Sequence, residues 1–330
     1  MPAPGILSAR LLVLQSFKET VWGSGSPATC KWMTVKPFPT FTPYRKATVF
    51  DEVRGSLAPG FTSAVLRKGG EWRVDGHLTY EDVVLLGSGF FGIVTSSGSV
   101  SPWTFSYTGP SGSQPSLQSY TFEYNQTAGV VQATGCIMNR LQLTGAAMDH
   151  WEYSVSGFAQ DIDASTGSIT SGSDRTVEVA LVGTSALFMD PSGSTIGSTP
   201  FIGTLLDFTL DMENSAKPIY TAGSLVPAQW VIGGKIRSSL TLDLLYTAAV
   251  KTYMTGTLML GTRGLIRIKS TSGSKSIQLD FAGVLSDEPA LFGNKEEAQT
   301  VSLKLDSVYD SGAALYTNLT CVTTAGSTVP

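Results

Sequence analysis

The sequence predicts a mainly β fold of two tandem sandwich- or barrel-like modules, each with one flanking α-helix, and three observations predict it. The first is a phrase written twice. Arg54-Gly55-Ser56-Leu57-Ala58-Pro59 stands in the first half and Ala222-Gly223-Ser224-Leu225-Val226-Pro227 in the second. Each copy is followed by a Gly-Gly pair (Gly69-Gly70, Gly233-Gly234), an alternating strand, a Leu-Thr step (Leu78-Thr79, Leu240-Thr241) and a helix-like stretch. An ordered series of matches is harder to reach by chance than any single one, so one module reads as duplicated. The second observation is period-2 alternation of apolar and polar residues, the pattern of a half-buried strand. The third is composition: of 330 residues only 15% are charged, the net charge is -4, and Ser, Thr and Gly supply much of the polar surface.

In chain order, residues 1–50 read as a Pro-rich arm. Pro2, Pro4, Pro27, Pro37, Pro39 and Pro43 interrupt it, and Phe38, Phe41, Tyr44 and Phe50 are spaced between them as anchors on a larger body. Residues 51–163 form the first module and 164–330 the second, with the Ser/Gly run Asp163 to Ser173 between them as linker. Alternation marks strands at Trp72 and Val74, at Tyr120, Phe122 and Tyr124, and at Trp151, Tyr153 and Val155. In the second half it recurs at Val177, Val179 and Leu181, at Leu206, Phe208 and Leu210, at Ile277, Leu279 and Phe281, and at Val301, Leu303 and Leu305. Short strands bounded by Gly, Ser and Pro argue for a sandwich or closed sheet.

Two stretches carry helical spacing instead. Thr79 caps the first, with Asp82 in its first turn and Tyr80, Val83, Val84 and Phe91 as its stripe; the second starts at Thr241, with Leu242, Leu245, Tyr246, Ala249 and Tyr253. Between the first helix and Tyr120 lies a long Ser-, Gly- and Pro-rich segment, about 95–119, bearing Trp103, Phe105 and Tyr107. A loop of that length with aromatics in it reads as an extended hairpin that docks on a partner. The shorter segment from Gly261 to Lys275 is basic. Its alternation puts Arg267 and Lys269 on one face, so that these cations and Arg263 have either solvent or an acidic edge of another subunit, such as Asp287-Glu288 or Glu296-Glu297, to meet.

Nothing in the residues proposes chemistry. Gly87-Ser88-Gly89-Phe90-Phe91-Gly92 has dinucleotide-fingerprint spacing, but it follows a helix, where Gly ends helices, rather than a strand. His77 and His150 have no ligand-spaced partner and read as strand histidines; Asp161 and Asp163 read as solvated charges. Cys30, Cys136 and Cys321 lie far apart and read as small buried hydrophobes. No cofactor or metal is expected. The acidic balance argues against a protein built to grip nucleic acid. The apolar run Leu11-Leu12-Val13-Leu14 is too short for a signal peptide or a membrane span, so the chain is expected in a cytoplasm, away from any membrane.

Four stretches read in order resemble the tail tube proteins of long-tailed, siphovirus-like bacteriophages in which the tube module is doubled. They are Lys18-Glu19-Thr20-Val21-Trp22-Gly23, the Arg54 phrase, Tyr80-Glu81-Asp82-Val83-Val84-Leu85, and Gly135-Cys136-Ile137-Met138-Asn139-Arg140-Leu141-Gln142-Leu143-Thr144-Gly145. The second copy of the phrase departs by having Ala222 where Arg54 stands. The resemblance implies a structural protein without catalysis that assembles with itself into stacked rings. Rings of three doubled chains with pseudo-sixfold symmetry are favoured, hexamers being possible. It also implies a lumen through which DNA passes without specific binding, and tape measure, tail terminator and distal tail proteins as partners. The place of work is the virion tail, with assembly in the host bacterial cytoplasm. Arg54, Trp103, Phe105, Tyr107, Arg263, Arg267 and Lys269 are the expected contacts between subunits or rings. The competing readings are a receptor- or carbohydrate-binding sandwich of a tail and, less well supported, a glycan-active β enzyme.

Overall fold

The computed structural model describes residues 13–25, 30–49, 63–98, 100–109, 112, 115–126, 129–165, 169, 174–295 and 298–324. The first half supplies β1 (Leu14–Lys18), β2 (Cys30–Lys31), β3 (Thr40–Val49), β4 (Ser63–His77), α1 (Val83–Phe90), β5 (Trp103–Thr108), β6 (Tyr120–Gln126), β7 (Gly129–Ala146), β8 (Trp151–Ala159) and β9 (Asp161–Ser165). The second supplies β10 (Ser185–Pro191), β11 (Leu205–Glu213), β12 (Ala216–Ile219), β13 (Gln229–Ile232), β14 (Arg237–Leu245), α2 (Ala248–Gly256), β15 (Gly264–Ser272), β16 (Lys275–Leu285), β17 (Ala290–Lys295), β18 (Ala298–Ser307) and β19 (Thr317–Thr323). Every pairing between these strands is antiparallel.

One continuous sheet crosses the molecule in the order β3–β4–β8–β7–β11–β14–β18–β17. Behind it, β2–β1–β6–β7–β9 covers the first half and β10–β15–β16–β19–β5 the second. The halves use the same neighbours: β3–β4–β8–β7 matches β11–β14–β18–β17, and β1–β6–β7–β9 matches β10–β15–β16–β19. Alternation supplies the core between the layers. Trp72, Val74, Trp151 and Val155 from the first half, and Leu240, Leu242, Leu303 and Leu305 from the second, are buried on one side of the continuous sheet. Phe122 meets them from the covering layer, with ring centroids 4.8 Å from Trp72 and 5.6 Å from Trp32.

Several expectations need correction. The segment starting at Thr241 is not helical: Leu240, Leu242 and Leu244 alternate inward with Thr241 and Asp243 between them, so period 2 prevails and these residues belong to β14. The second helix starts later, at Ala248, where the Thr247 hydroxyl accepts from Val250 N at 3.3 Å and caps it. Thr79 does accept from Asp82 N at 2.9 Å, yet all eight residues of α1 are buried, so this helix lies inside the fold rather than flanking it. Gly87 and Gly89 stand within α1, where a Cβ would come within 2.4 Å of Tyr107 and of Met138 respectively; they are packing glycines, not a helix stop. Val177 to Leu181 makes only isolated bridges, Thr79 with Val179 and His150 with Leu181. The stretch read as an arm contributes β1, β2 and β3, and Pro43 is accommodated because β3 is an edge strand. The three cysteines are free and buried, as expected.

Beyond the strands, buried Asp190 holds a loop in place by accepting from the N–H groups of Gly197 (2.8 Å), Ser198 (3.1 Å) and Thr199 (2.9 Å) and from the Ser198 hydroxyl (2.8 Å). Burial alone would raise this carboxyl, but the hydrogen bonds from Thr199, Ser198 and Gly197 outweigh it and hold it below its ordinary value. A carboxyl depressed by folding stabilises the protein above its unfolded value and loses that contribution as pH falls through the lower, folded one. Asp190→Asn is therefore expected to cost about 2 kcal/mol at neutral pH. It should also flatten the acid limb of a urea-midpoint-versus-pH curve.

Candidate functional site

Where the halves meet, the chain shows how one sheet is continued by the next. β7 and β11 pair over the whole stretch from Arg140↔Glu213 to Ala146↔Asp207. Buried Asn214 extends the ladder, its N–H donating to Asn139 O at 3.0 Å and its amide to Met138 O at 2.9 Å. Arg140 grips Asp211 through two bonds of 2.9 and 2.5 Å, and Trp151 meets Phe208 edge-on at 4.6 Å. The second copy of the repeated phrase lies in the loop between β12 and β13 and lands on the first half. Leu225 O accepts from Lys68 N at 2.7 Å, Pro227 O accepts from the Gln160 amide at 2.8 Å, and Arg67 sits over the rings of Tyr44 and Tyr220. Arg54 and the first copy lie outside the described residues.

The outer face of the continuous sheet is polar along entire cross-strand rows. Asp75, Ser154, Gln142, Asp211, Ser239 and Asp306 form one, and His77, Glu152, Thr144, Thr209, Thr241 and Lys304 the next. Acidic groups outnumber basic ones here, and three of the cations are engaged: Arg73 with Asp75 at 3.1 Å, Arg140 with Asp211, and Lys304 with Asp287 at 3.5 Å. At the ends of the sheet, among the described residues, β3 pairs only with β4 and β17 only with β18.

A family model described as phage tail tube protein matches residues 9–307. The chain belongs to the phage tail tube protein family. No curated protein matches it. Membership makes it a structural component of a virion tail, of a family that associates with itself and with other tail proteins. Among the described residues no helix is long and apolar enough to cross a membrane.

Within this tail tube protein two of the expected contact residues, Phe105 and Tyr107, turn inward. Trp103 is partly buried, and Phe105 and Tyr107 are 1% and 0% exposed in β5, which pairs with β19 rather than forming a hairpin that reaches outward. Tyr107 donates to Val84 O at 2.9 Å, so β5 clasps α1 to the last strand of the second half. The Gly261–Lys275 segment holds β15 and the turn that pairs it with β16 as a hairpin. Two of its cations pair internally: Arg267 forks onto Asp280 at 2.6 and 2.8 Å, and Arg263 stands 3.8 Å from Asp310. Lys269, half-buried, makes no ion pair among the described residues. His77 and His150, read as unrelated strand residues, touch each other.

Sequence reading missed the buried carboxylates at the entry to α1. Glu81 and Asp82, placed in an otherwise apolar run, are 2% and 0% exposed. Asp82 does not cap the helix, because its carboxylate bonds Arg175 at 2.5 Å; Glu81 takes Lys275 at 2.6 Å. Both cations come from the second half, so the turn before α1 is an electrostatic lock between halves. Removing one partner of such a pair strands a buried charge. Lys275→Met should cost about 3–5 kcal/mol in urea unfolding, and adding Glu81→Gln should restore part of it. Additive losses would show that the pair is not coupled.

Proposed function

We propose that this chain is a doubled tube module, residues 51–163 and 164–330 with the N-terminal segment 1–50 attached, whose copies close into rings that stack as a DNA-conducting tail tube. The observation that carries this reading is the β7–β11 joint. β17 occupies in the second half the place that β7 occupies in the first, and β3 occupies the place of β11. A β17 edge meeting the β3 edge of the next chain would therefore repeat between chains the ladder found within one. Repetition consumes the two free edges that a lone sheet leaves open to unplanned pairing. The contact is head to tail, and it closes when the rotation per module suits the ring. Three chains would give six modules.

The repeated phrase gains a role in the same scheme. Its second copy docks on the neighbouring half through Leu225 and Pro227. The first copy has Arg54 where the second has Ala222, a difference that would distinguish the seam between chains from the seam within one. The outer face of the continuous sheet would then line the bore. Carboxylates and hydroxyls there, with Arg73, Arg140 and Lys304 paired to carboxylates, would let a phosphate backbone slide without the counterion release that arrests it. Rings of this kind need no catalytic group, and their partners at the two tube ends and inside it would be the terminator, distal tail and tape measure proteins. Lys269 is left as a candidate for contact between rings.

Electron microscopy of the purified chain tests the reading. Hollow tubes with a regular axial repeat, and rings of three chains in end views, are the expected result. Discrete particles at every concentration would contradict it and favour a receptor-binding module instead.

A further inference from the structure

We propose that His77, His150 and Glu152 form a zinc site of two imidazoles and one carboxylate on the polar face of the continuous sheet. The register of β4 with β8 sets His77 opposite Glu152, and His150 stands one residue before β8, held by its bridge to Leu181. Their side chains converge. Glu152 Oε1 lies 3.6 Å from His77 Nδ1 and 3.4 Å from His150 Nε2, and those two ring nitrogens are in contact with each other. The rings meet edge to face, with centroids 4.2 Å apart and planes at 77°. The three ligand atoms all lie within 4.8 Å of one another.

Zinc bonds nitrogen and carboxylate oxygen at roughly 2.0–2.2 Å, and tetrahedral ligands at that radius stand roughly 3.3 Å apart. The two edges to Glu152 are close to that length already. The third edge, between the rings, lengthens as a cation enters. Two imidazoles with one carboxylate favour zinc over the hard, oxygen-seeking calcium and magnesium, and three protein ligands leave a fourth position for water. Partial solvent exposure of all three side chains keeps that position open.

The surroundings suit a ligand set as well. Asp149 Oδ1 contacts His150 Nδ1 and so takes its N–H, leaving Nε2 with a lone pair aimed at the site. Without a cation, His77 Nδ1–H donates to that lone pair. With one, His77 carries its hydrogen on Nε2 and binds through Nδ1, so the neutral ring changes tautomer and releases no net proton. Lys36 Nζ lies 2.6 Å from the same Glu152 oxygen and supplies its counter-charge; being 40% exposed, it swings into solvent when the cation takes over. A bound ion ties the end of β4 to the start of β8 and to the loop that reaches Leu181 in the second half.

Calorimetric titration of the full chain with zinc chloride, alongside thermal unfolding with and without zinc, tests the assignment. One equivalent should bind per chain and raise the Tm. His150→Ala should abolish both effects. Glu152→Gln, which keeps shape and fold, should weaken binding at least tenfold, and Asp149→Asn should weaken it about 10–100-fold. Cobalt(II) used in place of zinc should give the visible bands of a four-coordinate ion without a thiolate charge-transfer band. No zinc response in the wild-type chain, an equal response in His150→Ala and Glu152→Gln, or a thiolate band from a cysteine would each overturn the assignment.

Discussion

The structure depends on one interaction, the antiparallel ladder between β7 and β11. Strand edges are unsatisfied rows of donors and acceptors, and a sheet that ends in water invites any other strand to pair with it. Here the first half ends its sheet on β7, and the second half begins its own on β11 directly beside it. The two four-stranded pieces therefore become one sheet with a single polar face and a single buried one. Everything else at the boundary reinforces that ladder: the Arg140–Asp211 fork, the Asn214 bridge, the loop of the second phrase lying on Lys68 and Gln160, and β5 crossing to pair with β19.

From this follows a division of labour among charges. On the polar face acidic groups outnumber basic ones, and Arg73, Arg140 and Lys304 each pair with a carboxylate. Those at the entry to α1 are buried and paired across the halves, Glu81 with Lys275 and Asp82 with Arg175. Buried pairs contribute little net stability against apolar replacements, but they tolerate no wrong partner. Placed between the halves, they fix how the second half sits on the first, and that relative setting is what a head-to-tail ring would repeat.

Much of this was legible in the sequence where one period dominated. The strands at Trp72, Tyr120, Trp151, Phe208, Ile277 and Leu303 were marked by alternation, as was the one face of β15 that carries Arg267 and Lys269. Reading failed where two patterns overlapped. Leu242, Leu245 and Tyr246 fit a helical stripe, but Leu240, Leu242 and Leu244 fit a strand better, and β14 is the outcome because a neighbouring strand was available on each side. It failed again for β5, whose aromatics alternate inward as any core strand's do but sit among Gly, Ser and Pro that mimic a loop. The Glu81–Lys275 lock and the His77–His150–Glu152 cluster join residues distant in sequence, and only strand register brings them together. A period reports which face a residue takes; it carries no information about which distant residue shares that face.

Hydrogen–deuterium exchange on assembled tubes and on dissociated subunits tests the central claim most directly. If the seam within the chain is repeated between chains, backbone amides of β3 and β17 exchange fast in the subunit and become protected in the tube, while those of β7 and β11 are slow in both. Equal exchange of β3 and β17 in tube and subunit would contradict it.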